Sequence, residues 1–310
     1  MIKNKRLYSA LCLCMCTAFC LAGCGKRQGK DDDPAVIDVI NTAVPAVTDT
    51  VATEAATDAP ATDDPNLTPA PTEVPELPAG QVLWLNTMPT DLYGVSMDEA
   101  EAWFSDAVFI GDSITLGWKN YNDVMLTVTG GENFFGQTHF LCEGSYGAGH
   151  ALEPVSANSL HPVYMGEQRP IWESIQMMQA KKAFICFGLN DIAIYGVDGT
   201  VENFGKVCDK IKEYNPDCRI YIISAMYMYK GSEMTKLNNP NLRALNEGLR
   251  GLCKERGMQF VDIASHLVDT DGYLLQQYSS DKYVHQTSEA YNIWADILRS
   301  IAAHNIVWGY

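Results

Sequence analysis

The chain has little positive charge: 22 Lys and Arg stand against 38 Asp and Glu, a net charge of −16 over 310 residues. A nucleic-acid partner needs a basic footprint, so that class is excluded. Metal-ligand spacings are also missing. No His-x-x-x-His or Cys-x-x-Cys occurs, no clustered carboxylate spacing supports a metal site, and no glycine-rich phosphate loop is present. No metal and no cofactor are therefore expected. The longest apolar stretch, residues 7–22, falls short of the about 20 residues a membrane-spanning helix needs. Residues 25–80 contain no aromatic side chain but hold eight of the 14 prolines, with Thr, Ala and Asp filling most of the rest. Such a segment cannot bury enough apolar surface to offset ordering its backbone.

The N-terminus supplies an address. Lys3, Lys5 and Arg6 precede the apolar stretch, which ends in Leu21-Ala22-Gly23-Cys24. This has the form of an export signal. The ending resembles the bacterial lipobox, in which the Cys receives a diacylglyceryl group and becomes the mature N-terminus. An uncleaved membrane anchor is the plainer alternative. Two acyl chains on Cys24 would hold the protein stably on a membrane. The expected organisation is a lipoprotein signal peptide over 1–24, a disordered linker over 25–80 and one folded domain over 81–310. The linker would span about 40 Å or more. It carries a net charge of −8 and the domain −11.

Beyond residue 80 the pattern alternates. Ser96-Met97-Asp98-Glu99 is a capping box that predicts a short helix ending near Phe104. Apolar runs at 107–111, 139–142, 183–187, 220–225 and 259–263 predict buried strands. Helical stripes lie between and after them: Val201, Phe204, Cys208 and Ile211; Leu242, Leu245, Leu249 and Leu252; Tyr291, Trp294, Leu298 and Ile301, with Thr287 as N-cap. Strands separated by such helices predict an α/β domain, a flavodoxin-like three-layer α/β/α sandwich on a five-stranded parallel sheet. Residues 118–138 and 155–170 read as long irregular connections.

In such sheets the site lies beyond the carboxyl ends of the strands. Gly111-Asp112-Ser113-Ile114-Thr115-Leu116-Gly117 follows the first run, Ser145-Tyr146-Gly147-Ala148-Gly149 the second and Gly188-Leu189-Asn190-Asp191 the third. Ser279-Ser280-Asp281-Lys282-Tyr283-Val284-His285 precedes the last helix. These residues suit acyl transfer. A serine hydroxyl needs a base to become a nucleophile, an imidazole serves near neutral pH, and a carboxylate holds the imidazole in one tautomer. Ser113, His285 and Asp281 are candidates for these roles. The amides of Ser113 and Gly147 and the side chain of Asn190 are candidate oxyanion donors. Each piece has a plainer reading: a turn tripeptide, a capped strand end, a helix-entry carboxylate, a surface histidine. Ser145 and His150 form a second Ser–His pair without a glycine turn or carboxylate, and His150 reads as a loop residue. Asp112 and Asp191 read as braces. Met226-Tyr227-Met228-Tyr229 suits either a pocket lining or ordinary packing.

The order of these blocks resembles the SGNH hydrolases, the GDSL esterases and lipases, over roughly residues 104–306. Gly111-Asp112-Ser113 matches their nucleophile block, Gly147 their oxyanion glycine, and Gly188-Leu189-Asn190-Asp191 their Gly-x-Asn-Asp block. The final Asp-x-x-His departs, because position 282 is Lys and Asp281 stands four before His285. Either Asp281 still reaches the imidazole across one extra residue, or a backbone carbonyl orients His285 in a Ser-His dyad. The Gly-x-Ser-x-Gly elbow of α/β-hydrolases is absent around Ser113.

The resemblance implies a serine esterase or acylhydrolase whose partner is an ester substrate. With the expected tether, an acetylated extracellular carbohydrate is the first substrate class, and lipid esters are the alternative. A catalytically weak carbohydrate-binding module and an acyltransferase remain open. No obligate protein partner is implied. Of the ten cysteines, only Cys142, Cys186, Cys208, Cys218 and Cys253 enter the expected fold, as small buried thiols rather than a disulfide scaffold.

Overall fold

A computed structural model describes residues 92–128, 134–136 and 138–309. The expected signal peptide, Cys24 and the linker lie outside the described residues. In chain order the elements are α1 (Met97–Ala102), β1 (Ala107–Gly111), α2 (Ser113–Val128), β2 (His139–Cys142), α3 (Ala148–Ala151), β3 (Val163–Tyr164), β4 (Glu167–Gln168), α4 (Ile171–Met178), β5 (Lys182–Cys186), α5 (Leu189–Tyr214), β6 (Arg219–Ile223), α6 (Asn239–Arg256), β7 (Gln259–Val261) and α7 (Ser288–Trp308). Five strands form one parallel sheet in the order β2-β1-β5-β6-β7, and β3 and β4 form an antiparallel hairpin.

β1 and β5 are buried along their whole length, as strands covered on both faces must be. Register places Phe140, Phe109, Phe184 and Tyr221 side by side on four neighbouring strands. Their rings stack in turn, with centroids 5.7, 5.0 and 4.4 Å apart. On that face Phe109 meets Trp118 of α2, which stacks on Trp294 of α7. α1 and α2 pack on α7, and α4 and α6 pack on α5. Arg299 of α7 pairs with the buried Glu101 of α1 at 2.5 Å. Asn238 caps α6 by accepting the Asn241 amide, and Thr287 caps α7 by accepting that of Ala290.

Several boundaries differ from the sequence reading. Residues 118–128 continue α2 rather than entering an irregular connection, because Ile114, Thr115, Trp118, Tyr121 and Asn122 bury one helical face. The hairpin β3–β4 occupies part of 155–170. β6 and β7 each stop two residues early. Ser224 Oγ accepts the Ile263 and Ala264 amides, and Asn246 Oδ1 accepts that of Ala225, so side chains replace the ladder there. All five cysteines of the described residues are free thiols, four of them buried. Burial pushes Cys142, Cys208 and Cys253 up to about 12 and Cys218 to about 11, which keeps them protonated and unreactive.

Candidate active site

Three strand ends and one loop converge. α2 begins at Ser113, directly after β1 and Asp112. Asp112 turns its carboxylate back, so that Oδ1 accepts the Ile114 amide at 2.9 Å. This fixes the first turn and the direction of the Ser113 hydroxyl.

The loop before α7 brings the imidazole to it. His285 Nε2 lies 2.9 Å from Ser113 Oγ, and His285 Nδ1 lies 2.6 Å from Asp281 Oδ2. The other Asp281 oxygen accepts the Tyr283 amide at 2.8 Å and the His285 amide at 3.3 Å. Lys282 sits in the left-handed region at φ 56°, and this tight turn absorbs the extra residue between Asp281 and His285. A carboxylate, not a backbone carbonyl, faces Nδ1. Burial pulls the Asp281 carboxyl up. The His285 ring and the Tyr283 and His285 amides outweigh it and hold the group below the usual carboxylate range. The arrangement suits a ring that donates Nδ1–H to Asp281 and accepts the Ser113 proton at Nε2.

The Gly188–Asp191 block builds the loop that carries Gly147. Asn190 Nδ2 donates to the Tyr146 carbonyl and to Asp112 Oδ2, both at 3.1 Å. The Asp191 carboxylate accepts the Ala148 amide at 3.1 Å and the Gly149 amide at 2.8 Å. A Cβ at Gly147 would lie 2.5 Å from Asp191 Oδ2, so only glycine admits this approach. The two Asn190 bonds engage both Nδ2 protons, and an oxyanion reaching Asn190 would share one of them. Burial raises both carboxyls, Asp112 to about 7, with their mutual repulsion adding to the rise at Asp112.

The remaining candidates fall outside this cluster. His150 lies within α3 rather than in a loop, half-buried, and makes no pair with Ser145. Met226 and Met228 are buried in the core, while Tyr227 and Tyr229 are half-buried. The Tyr229 amide donates to the Tyr283 carbonyl at 2.8 Å, so this segment supports the His285 loop. Two supports escaped sequence reasoning. Asn246 pairs with both backbone groups of Ala225, and Asn239 with both of Met228. The available signal was two Asn seven residues apart on the apolar face of α6. Among the described residues no group of three or more His, Cys, Asp or Glu is placed to hold a metal ion.

The chain resembles solved structures at low identity. A GDSL-like lipase from Bacteroides thetaiotaomicron is 17% identical, with 63% of this chain and 86% of that one covered and a TM-score of 0.45. A carbohydrate esterase family 3 protein from Talaromyces cellulolyticus is 14% identical, with 66% and 99% covered and a TM-score of 0.41. No protein of curated function matches the chain. The model of one family matches residues 109–293, more than half of the chain, from β1 into α7 and across all four blocks. This chain belongs to the GDSL-like lipase/acylhydrolase family.

Proposed function

We propose that the domain is a serine-dependent O-acyl ester hydrolase that deacetylates a carbohydrate outside the cell. The observation that carries the serine mechanism is the chain of short contacts from Ser113 Oγ through the two ring nitrogens of His285 to Asp281. Ser113 Oγ attacks the ester carbonyl while His285 Nε2 takes its proton. Asp281 holds the tautomer and stabilises the imidazolium. The Ser113 and Gly147 amides and a shared Asn190 Nδ2 proton stabilise the oxyanion. The imidazolium then returns the proton to the leaving alcohol, and water activated by the same ring hydrolyses the acyl-enzyme.

The carbohydrate reading is supported by the N-terminal sequence. A lipidated Cys24 on a long polar linker would hold the domain outside the membrane, among extracellular polymers. Ser113→Ala is expected to lower kcat on p-nitrophenyl acetate by about 10³-fold or more and to abolish labelling by a fluorophosphonate probe. Full activity in this variant would sink the mechanism. A panel of acetylated glycans and long-chain esters separates the carbohydrate reading from a lipase.

A further inference from the structure

One aromatic ring beside the site has no role in the scheme above. Tyr195 lies one helical turn beyond Asp191 on α5, on the side that faces the Gly147–Gly149 segment. A Cβ at Gly149 would meet Tyr195 Cε2 at 2.3 Å, its hydroxyl oxygen at 2.5 Å and Cζ at 2.6 Å. One edge of the ring therefore rests directly on the Gly149 backbone. A Cβ at Gly199, further along the same helix, would stand 3.1 Å from Tyr195 Cβ. Directly after Tyr195 the helix breaks at Gly196 (φ 68°, ψ −174°), and Thr200 Oγ1 closes the break on the Gly196 carbonyl at 2.6 Å. The ring is seated on Gly149 at the end of a short helical segment, yet the residue remains 39% exposed. Ile194, one turn beyond Asn190, is 57% exposed.

A large side chain that is held in place but left open to water gains little for stability. Its position is informative. Gly149 is two residues from Gly147, at most about 7 Å along the backbone. The ring thus stands close to the segment that carries Gly147. A tyrosine presents an apolar face with a polar tip. A sugar ring has the matching pattern, with C–H groups on its faces and hydroxyls round its edge. An alkyl chain would use the face and leave the tip unmatched.

We propose that Tyr195 is a specificity-determining residue, whose ring face receives the sugar ring that bears the ester. This rests on the esterase reading above and names the contact that would select a carbohydrate.

The test compares glucose pentaacetate, p-nitrophenyl acetate and p-nitrophenyl octanoate with wild type, Tyr195→Ala and Tyr195→Phe, each checked for an unchanged thermal midpoint. Tyr195→Ala is expected to lower the ratio of kcat/KM on glucose pentaacetate to that on p-nitrophenyl acetate about tenfold. The loss should appear in KM. Tyr195→Phe, which keeps the ring face and loses the polar tip, should recover only part of the ratio. An equal loss on both acetates would overturn the proposal, since the ring would then only shape the Gly147 loop. An unchanged ratio, or a loss confined to the octanoate, would also overturn it. Wild type that cleaves none of the three esters would instead overturn the esterase reading.

Discussion

Asp112 and Asp191 do different work from Asp281, although all three are carboxylates within one site. Asp281 is half-exposed and orients a ring, whereas the other two are buried and hold backbone and amide groups. Asp191 leaves no space for a side chain at position 147. Gly147→Ala is therefore expected to displace the loop and lower kcat on p-nitrophenyl acetate by about 10²-fold or more, the effect of losing one oxyanion donor. Activity within threefold of wild type would remove Gly147 from the site. Asp112 gives a pH signature. Its folded value of about 7 lies above the unfolded value of about 3.9, so between these pH values the folded state holds a proton the unfolded chain has released. Stability from this group is full below pH 4 and declines as pH rises to 7. Asp112→Asn should therefore gain thermal midpoint relative to wild type as pH rises across that window. A constant difference from pH 4 to 7 would show that Asp112 does not titrate there. Such burial was not legible in Gly-Asp-Ser, because a tripeptide shows which groups are present and not how much water reaches them.

At the scale of elements, the site stands on loops that borrow order from helices. α6 holds the segment after β6 through Asn239 and Asn246, and that segment holds the His285 loop through the Tyr229 amide and the Tyr283 carbonyl. Asn239→Ala would leave the buried Met228 amide without its partner, while the Met228 carbonyl keeps the Leu274 amide. One orphaned buried group costs about 1–3 kcal/mol. The expected result is a lowered midpoint in urea with a smaller loss of activity. An unchanged midpoint would refute the support role. The helices themselves were readable from their stripes and caps, since a 3.6-residue period is a local property. The end of α2 and the ends of β6 and β7 were not. Their limits depend on Trp118 meeting Trp294, and on Ser224 and Asn246 taking amides a ladder would otherwise use. The one-residue departure from Asp-x-x-His left two geometries open in the sequence, and the left-handed turn at Lys282 selects the carboxylate.

At the scale of the whole molecule, negative charge is shared between the expected linker at −8 and the expected domain at −11. A tether through Cys24 predicts that Cys24→Ser shifts the protein from the membrane fraction to the soluble fraction while esterase activity per molecule is kept. Membrane retention in that variant would favour the uncleaved anchor. No helix among the described residues is long and apolar enough to cross a membrane. By itself the sequence determined the fold class, the order of the blocks and the identity of Ser113, Gly147, Asn190 and His285 as candidates. Local periodicity and motif order survive without coordinates, because they are properties of neighbours along the chain. Tertiary structure decided that Asp281 faces Nδ1, that Asp191 and Asn190 hold the Gly147 loop, and that Tyr195 rests on Gly149. Those contacts join residues that burial and close packing bring together across long stretches of chain, and distances of that kind are set only when the layers pack.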